Sequence, residues 1–266
     1  MRNLDAAIRR SCGGSPRGYL ERRTLMANAI VASMLPDGVV KGGSAIKMRL
    51  GDATTHFTTD LDTATAMAAD EYAEKLSLAL REGWEGFGGA VIPRDPAHPK
   101  DVPEEYVMHP FDVKLTYLGK PWCTVPLEVG FDEIGDADEA DWVESPDVSD
   151  AFAAVGFPSP GPTPLMPITH QVAQKLHAVT GSDRVRDLVD LQALLSHKDI
   201  DLAATRRVCV RLFAYRKRQT WPPILTKRKG WDEEYALESE GLEVLESADE
   251  AVDWVNDLIA RIDGAL

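Results

Sequence analysis

The sequence predicts an α/β module over residues 1–160 followed by a helical module over 161–266. Three observations lead there. Helix-spaced apolar residues occupy the first 34 positions and return after residue 167, alternating apolar and polar residues run from Trp84 to Phe131, and a proline-rich stretch separates the two patterns.

The elements follow in order. Residues 1–12 and 18–34 read as helices, the second carrying Leu20, Met26, Ile30, Val31 and Met34 and ending before Pro36. Val39-Val40 reads as a short buried strand feeding the turn Gly42-Gly43. Residues 44–50 form a short helix, 57–64 a strand, and 67–82 an amphipathic helix with Tyr72, Leu76 and Leu80 on one face, stopped by Gly83. Tyr106–Tyr117 and Trp122–Phe131 pair around the turn Leu118-Gly-Lys-Pro121. Residues 156–167 read as a linker, because proline at that density sustains neither a helix nor a central strand. Helices then cover about 168–180, 184–197, 199–218 and 247–264.

Composition sets bounds. At 266 residues, 44% hydrophobic and 27% charged, the chain can bury a core as one large domain or two modest ones. No apolar run reaches the ~20 residues of a membrane span, and no hydrophobic leader follows the basic N-terminus. Cys12, Cys123 and Cys209 lack disulfide or metal-ligand spacing, so a cytoplasmic protein with free thiols is expected. The net charge of −14 is unevenly spread. Acid dominates 132–150 and 232–253, whereas Arg206, Arg207, Arg211, Arg216, Lys217, Arg218, Lys227, Arg228 and Lys229 form a basic block. That block is either a phosphate-binding face or a solvated surface balanced by the acidic tail. Arg211, Arg216, Lys217, Arg218 and Trp221 are its candidate RNA contacts, Trp221 as the aromatic placed to stack on an unpaired base.

The chemistry concentrates earlier. On a strand, Asp60 and Asp62 point to one face and suit a hard divalent cation such as Mg²⁺, which takes its remaining ligands from water and substrate phosphate. The Gly42-Gly43-Ser44 turn offers backbone N–H groups and a helix N-terminus to phosphate. Ser44 is a phosphate contact or only a helix cap, and Thr58 shares the face of Asp60. Lys47 and Arg49 face phosphate, RNA or solvent.

Lys41-Gly-Gly-Ser-Ala-Ile and Phe57-Thr-Thr-Asp-Leu-Asp62 resemble the "GG-T/S-AL … FS-T-DLD" pattern of the AbiEii/AbiGii (MenT-like) toxin family of DNA polymerase β-like nucleotidyltransferases. A third segment, Lys175-Leu-His-Ala178 with Arg186-Asp-Leu-Val-Asp-Leu191, resembles the family's "KL-x-A … RD-x-x-DL" helices. The resemblance spans residues 40 to 195 and implies a polymerase β-like module with a mixed sheet, its cleft completed by the helical domain. It implies Gly43, Ser44, Thr58 and Lys47 at the NTP, and Mg²⁺ on Asp60 and Asp62. A third carboxylate comes from an adjacent strand, with Glu128 fitting and Asp112 its competitor. Lys175 and Asp190 complete the implied site, supported by Asp187 and Arg186. The implied activity is transfer of nucleotides from an NTP to an RNA 3′ end, above all tRNA, by a toxin with a cognate antitoxin. A small-molecule or protein acceptor, or a non-catalytic binding module, are the alternatives.

Overall fold

A computed structural model describes residues 3–51, 55–96, 107–135 and 137–265. The chain divides into two units, Met1–Gly51, Phe57–Asp132 and Ala137–Leu165 forming one, and Asp52–His56, Glu133–Asp136 and Met166–Leu266 the other.

The first unit is built on a mixed sheet. Its strands are β1 (Val39–Lys41), β2 (Leu61–Thr65), β3 (Phe87–Pro93), β4 (His109–Tyr117), β5 (Lys120–Phe131), β6 (Asp141–Val143) and β7 (Thr163–Leu165), in the order β3-β4-β5-β2-β1-β7-β6. β2 runs antiparallel to β1 and parallel to β5, so it is central. Helices α1 (Leu4–Ser11), α2 (Pro16–Ser33), α3 (Gly42–Leu50), α4 (Ala69–Glu82) and α5 (Pro146–Ala153) complete the unit. The apolar stripe of α4, Tyr72, Leu76 and Leu80, is fully buried, and Gly83 ends the helix at a φ of 72° that glycine adopts without strain. Two of the N-terminal basic residues serve packing. Arg9 lies over the Tyr19 ring at 3.9 Å, Arg23 pairs with Asp5 at 3.5 Å, and Trp122 Nε1 donates to Asp5 at 3.0 Å.

Three expectations need correction. The β4–β5 turn is the two-residue pair Leu118-Gly119, both at positive φ, because β5 already begins at Lys120; Tyr106 lies outside the described residues. The strand expected over 57–64 begins only at Leu61, where pairing to Leu127 begins, so Thr58 and Asp60 stand in the segment before it. The proline-rich stretch is not all linker. Thr163-Pro164-Leu165 forms β7 inside the sheet, joined to β1 only through Val40 and Leu165, a bridge that asks for no N–H from Pro164.

The second unit is helical: α6 (Ile168–Gly181), α7 (Arg186–His197), α8 (Leu202–Arg216), α9 (Trp231–Glu238) and α10 (Ala248–Asp263). Val172, Leu176, Leu188, Leu191, Leu212, Phe213, Val255 and Ile262 supply buried apolar surface. Gln192 ties α7 to the α9–α10 connection, donating to Tyr235 Oη at 3.1 Å and accepting from Leu245 N at 2.8 Å. Ser247 and Glu250 form a capping box that starts α10.

Candidate active site

The register of the central strands assembles the first group of candidate residues. Lys41 of β1 lies opposite Asp62 of β2, Asp62 opposite Glu128 of β5, and Glu128 opposite Pro110 of β4. Paired residues on adjacent strands share a face, so Asp62 and Glu128 are neighbours across one strand spacing, about 4.8 Å. Both are half-buried between fully buried flanks, Leu61 and Thr63 in β2 and Leu127 and Val129 in β5. Those flanking residues lie on the opposite face of the strands, and the two carboxylates share the other. The competitor Asp112 belongs to the next strand out, where Lys114 at 2.9 Å and Arg94 at 3.7 Å already pair with it.

Asp60 reaches this region by another route than the strand alternation expected for it. It is exposed, and its position is fixed by Ser44, whose hydroxyl donates to the Asp60 carbonyl oxygen. Thr59 Oγ1 donates to the Asp60 carboxylate at 2.8 Å. Ser44 is buried at the third position of α3 and so is not its cap; Lys41 holds that position, without a side-chain cap bond. Thr58 is half-buried ahead of the strand. Gly43 lies in the first turn of α3, whose backbone N–H groups have no partner inside the helix. Gly42 has a φ of 65°, and a Cβ there would collide with the Asp62 carboxylate. The glycine turn is therefore packed directly against a candidate metal ligand.

Lys47 and Arg49 do not face solvent as one reading allowed. Lys47 is buried, with its ammonium 5.3 Å from the Phe57 ring centroid, and Arg49 pairs with Asp141 at 2.8 Å.

Among the described residues, no three His, Cys, Asp or Glu side chains converge into a metal cage. The donor set instead fits a cation held by one or two carboxylates that completes its shell with water and substrate phosphate, the usual mode of Mg²⁺. Asp60 and Asp62 are the residues able to hold it.

The second group sits within the helical unit. Lys175 of α6 is buried and donates to Asp187 at 2.7 Å and Asp190 at 2.6 Å, both buried on α7. On its other side Asp187 meets Arg184 at 3.0 Å. Burial pulls the Lys175 pKa down, but Asp190 and Asp187 outweigh it and leave it above the usual lysine value. His56 pairs with Glu238 at 3.6 Å, and burial lowers its pKa against the opposing pull of Asp190. Gln171, one turn ahead of Lys175, is buried with both amide atoms lacking a hydrogen-bond partner. Its position gave no signal in the sequence.

Three cations of the basic block, Arg206, Arg216 and Lys227, pair with acid within their own unit. Arg216 makes a two-pronged bond to Glu133 at 2.7 and 3.0 Å, Arg206 meets Asp263 at 3.4 Å, and Lys227 bridges Asp232 and Asp249. Arg211 donates to the Ile134 carbonyl at 2.6 Å, while Lys217 and Arg218 are exposed. Trp221 packs edge-on to Phe213 at 5.3 Å and donates to Asp263 at 2.8 Å. Next to Arg216, His177 is buried, and burial with Arg216 and Arg218 lowers its pKa to about 4.

A mixed sheet with half-buried carboxylates on adjacent central strands, beside a glycine turn opening a helix, is compatible with the nucleotidyltransferase class that the sequence resemblance implies. Solved structures are similar in fold. MenT4, a nucleotidyltransferase toxin from Mycobacterium tuberculosis H37Rv, is similar with a TM-score of 0.60 at 20% identity, over 98% of this chain and 90% of that one. A putative nucleotidyltransferase from H. pylori matches at TM-score 0.45 and 17% identity, covering 91% of this chain and 93% of its own. No match was found among curated protein sequences. The family model described as nucleotidyl transferase AbiEii toxin, type IV TA system, matches residues 24–260. The chain belongs to the AbiEii nucleotidyltransferase toxin family. No helix among the described residues is long and apolar enough to cross a membrane.

Proposed function

We propose that this protein is a Mg²⁺-dependent toxin that transfers nucleotides from an NTP to the 3′ end of RNA, with tRNA as acceptor, opposed by a cognate antitoxin. The observation that carries the reading is the register of Asp62 against Glu128 beside the first turn of α3. The family match supports the transfer chemistry and the toxin–antitoxin setting. Mg²⁺ held by Asp60 and Asp62 would supply the positive charge that the triphosphate and its leaving group require. The N–H groups of α3 bind phosphate, and Gly43 and Ser44 keep that turn and Asp60 in place. Glu128 takes the proton of the attacking hydroxyl as its oxygen bonds to the α-phosphorus, and the bond to the β-phosphate breaks to release pyrophosphate. We assign Lys175 and Asp190 to the same reaction, with Asp187 and Asp190 keeping the lysine charged and fixed.

A second acceptor class has its own support. The net charge of −14 and the acid pairing of Arg206, Arg216 and Lys227 favour a cationic small molecule over a polyanion. Incubating the protein with each of four α-labelled NTPs, total tRNA, an aminoglycoside and Mg²⁺ separates them. Label at the tRNA 3′ end that disappears with EDTA is the expected result; label only in the drug selects the second acceptor, and no transfer to any acceptor contradicts the reading.

A further inference from the structure

We propose that Lys41 is a catalytic residue whose ammonium binds the phosphoryl group under attack, on the Glu128 side of the carboxylate row. The inference rests on the nucleotidyl-transfer reading and assigns that reaction a cation which no sequence motif singled out.

Four observations place it. Lys41 is in register with Asp62, which is in register with Glu128, so all three side chains leave one face of the sheet. The lysine reaches across that face: its Nζ lies 2.7 Å from where a Cβ on Gly130 would stand. Gly130 is two residues beyond Glu128 on the same strand and therefore faces the same way. A side chain at Gly130 would displace the ammonium, and the Met108 sulfur, also 2.7 Å from that point, would meet it too.

The remaining observation concerns charge. The hydrogen bond made by Nζ is to Met108 Sδ at 3.6 Å, and a thioether is a weak acceptor that neutralises nothing. Among the described residues no carboxylate forms an ion pair with Lys41. Other half-buried or buried cations of this chain are treated differently: Arg49 meets Asp141, Arg216 meets Glu133, and Lys175 meets two aspartates. A half-buried ammonium held over strand backbone, beside two carboxylates yet bonded to neither, is poised for an anion that arrives with substrate.

In the transfer step the acceptor oxygen bonds to the α-phosphorus, its proton passes to Glu128, and the electron pair of the breaking P–O bond departs with pyrophosphate. Negative charge gathers on the phosphoryl oxygens between attacking and leaving groups, and Lys41 meets it there. A cation acting on developing charge lowers kcat more than it raises KM when removed.

The test uses the full chain, α-labelled NTP, total tRNA and Mg²⁺. Lys41→Met is expected to lower kcat by about 10²–10³-fold, the loss typical of one such donor, with KM for the NTP within about threefold. Lys41→Arg is expected to recover part of the rate, and the thermal shift produced by an α,β-methylene NTP is expected to persist in both. A kcat for Lys41→Met within threefold of the unaltered protein overturns the proposal. If Lys41→Met does not fold, Gly130→Ala carries the test, because it moves the ammonium while keeping the lysine: a tenfold drop in kcat supports the role, and an unchanged kcat overturns it. Asp62→Ala run in parallel separates the two levels. Full labelling by that variant would remove the nucleotidyl-transfer reading itself, whereas its inactivity beside an active Lys41→Met removes the lysine alone.

Discussion

The chain holds two clusters of lysine and carboxylate, one in each unit, and they are built on opposite principles. In the sheet, Lys41, Asp62 and Glu128 are half-buried, share one face and make no ion pair with one another that the register alone would enforce. In the helices, Lys175, Asp187 and Asp190 are buried and closed upon themselves at 2.6–2.7 Å. The first cluster lies half-buried along one sheet face. The second is buried with its charges matched, and its cost of desolvation is offset internally. Loss of function on mutation therefore means different things in the two places. In the row it reports chemistry; in the triad it reports chemistry only after folding has been checked.

The largest effect expected is from Asp62→Ala, which on the proposed reading removes both a metal ligand and charge beside the phosphates and should reduce nucleotide transfer by at least about a thousandfold. Thermal unfolding of that variant should shift less than that of Lys175→Met, because Asp62 is half-buried whereas Lys175 is buried between two aspartates. Lys175→Met should behave in the opposite way, leaving two buried carboxylates without their cation and costing about 3–5 kcal/mol of stability in urea unfolding. An unchanged unfolding midpoint would show that the triad is not a lock and would erase the contrast. Ser44→Ala should cost about 1 kcal/mol, the usual worth of one buried hydrogen bond. Its transfer rate should fall further than that stability change explains, because Asp60 loses its anchor; a rate equal to the unaltered protein would mean that Asp60 needs none.

The smallest effect concerns pH. His177 is held neutral, with a folded pKa of about 4 against an ordinary 6.5. Between those values the unfolded chain binds the extra proton, so stability from this group is complete above pH 6.5 and declines as pH falls toward 4. His177→Gln should flatten that part of the stability–pH curve, which denaturant midpoints at pH 4.5, 5.5 and 7 would reveal.

Much of the first cluster could be read in the sequence, and the reason is local. Gly42-Gly43-Ser44 and Asp60-x-Asp62 lie within twenty residues, and short-range spacing carries their chemistry. Glu128 was legible as a charge inside an apolar run, but its preference over Asp112 depends on which strand lies beside β2, a long-range pairing that no spacing encodes. Lys41 heads the glycine segment, but its spacing gives it no role for the same reason: the proposed role depends on Gly130 and Met108, far away in sequence. β6, β7, α5 and α9 are short and lie among acidic or proline-rich residues that carry no clear periodicity, with prolines inside β7 and at the start of α5. The basic block was visible as composition, yet its balance by Glu133, Asp249 and Asp263 is a property of the folded helices.

The account stands on the sheet row being the place where a divalent cation and a nucleotide meet. Titrating Mn²⁺ against the full chain in the presence of a non-hydrolysable NTP, followed by electron paramagnetic resonance, measures this without relying on turnover. Asp60→Asn/Asp62→Asn should weaken nucleotide-dependent Mn²⁺ binding at least about tenfold while the protein stays folded, the scale expected when coordinating carboxylates lose their charge. Equal Mn²⁺ affinity in the doubly substituted and unaltered proteins would contradict it.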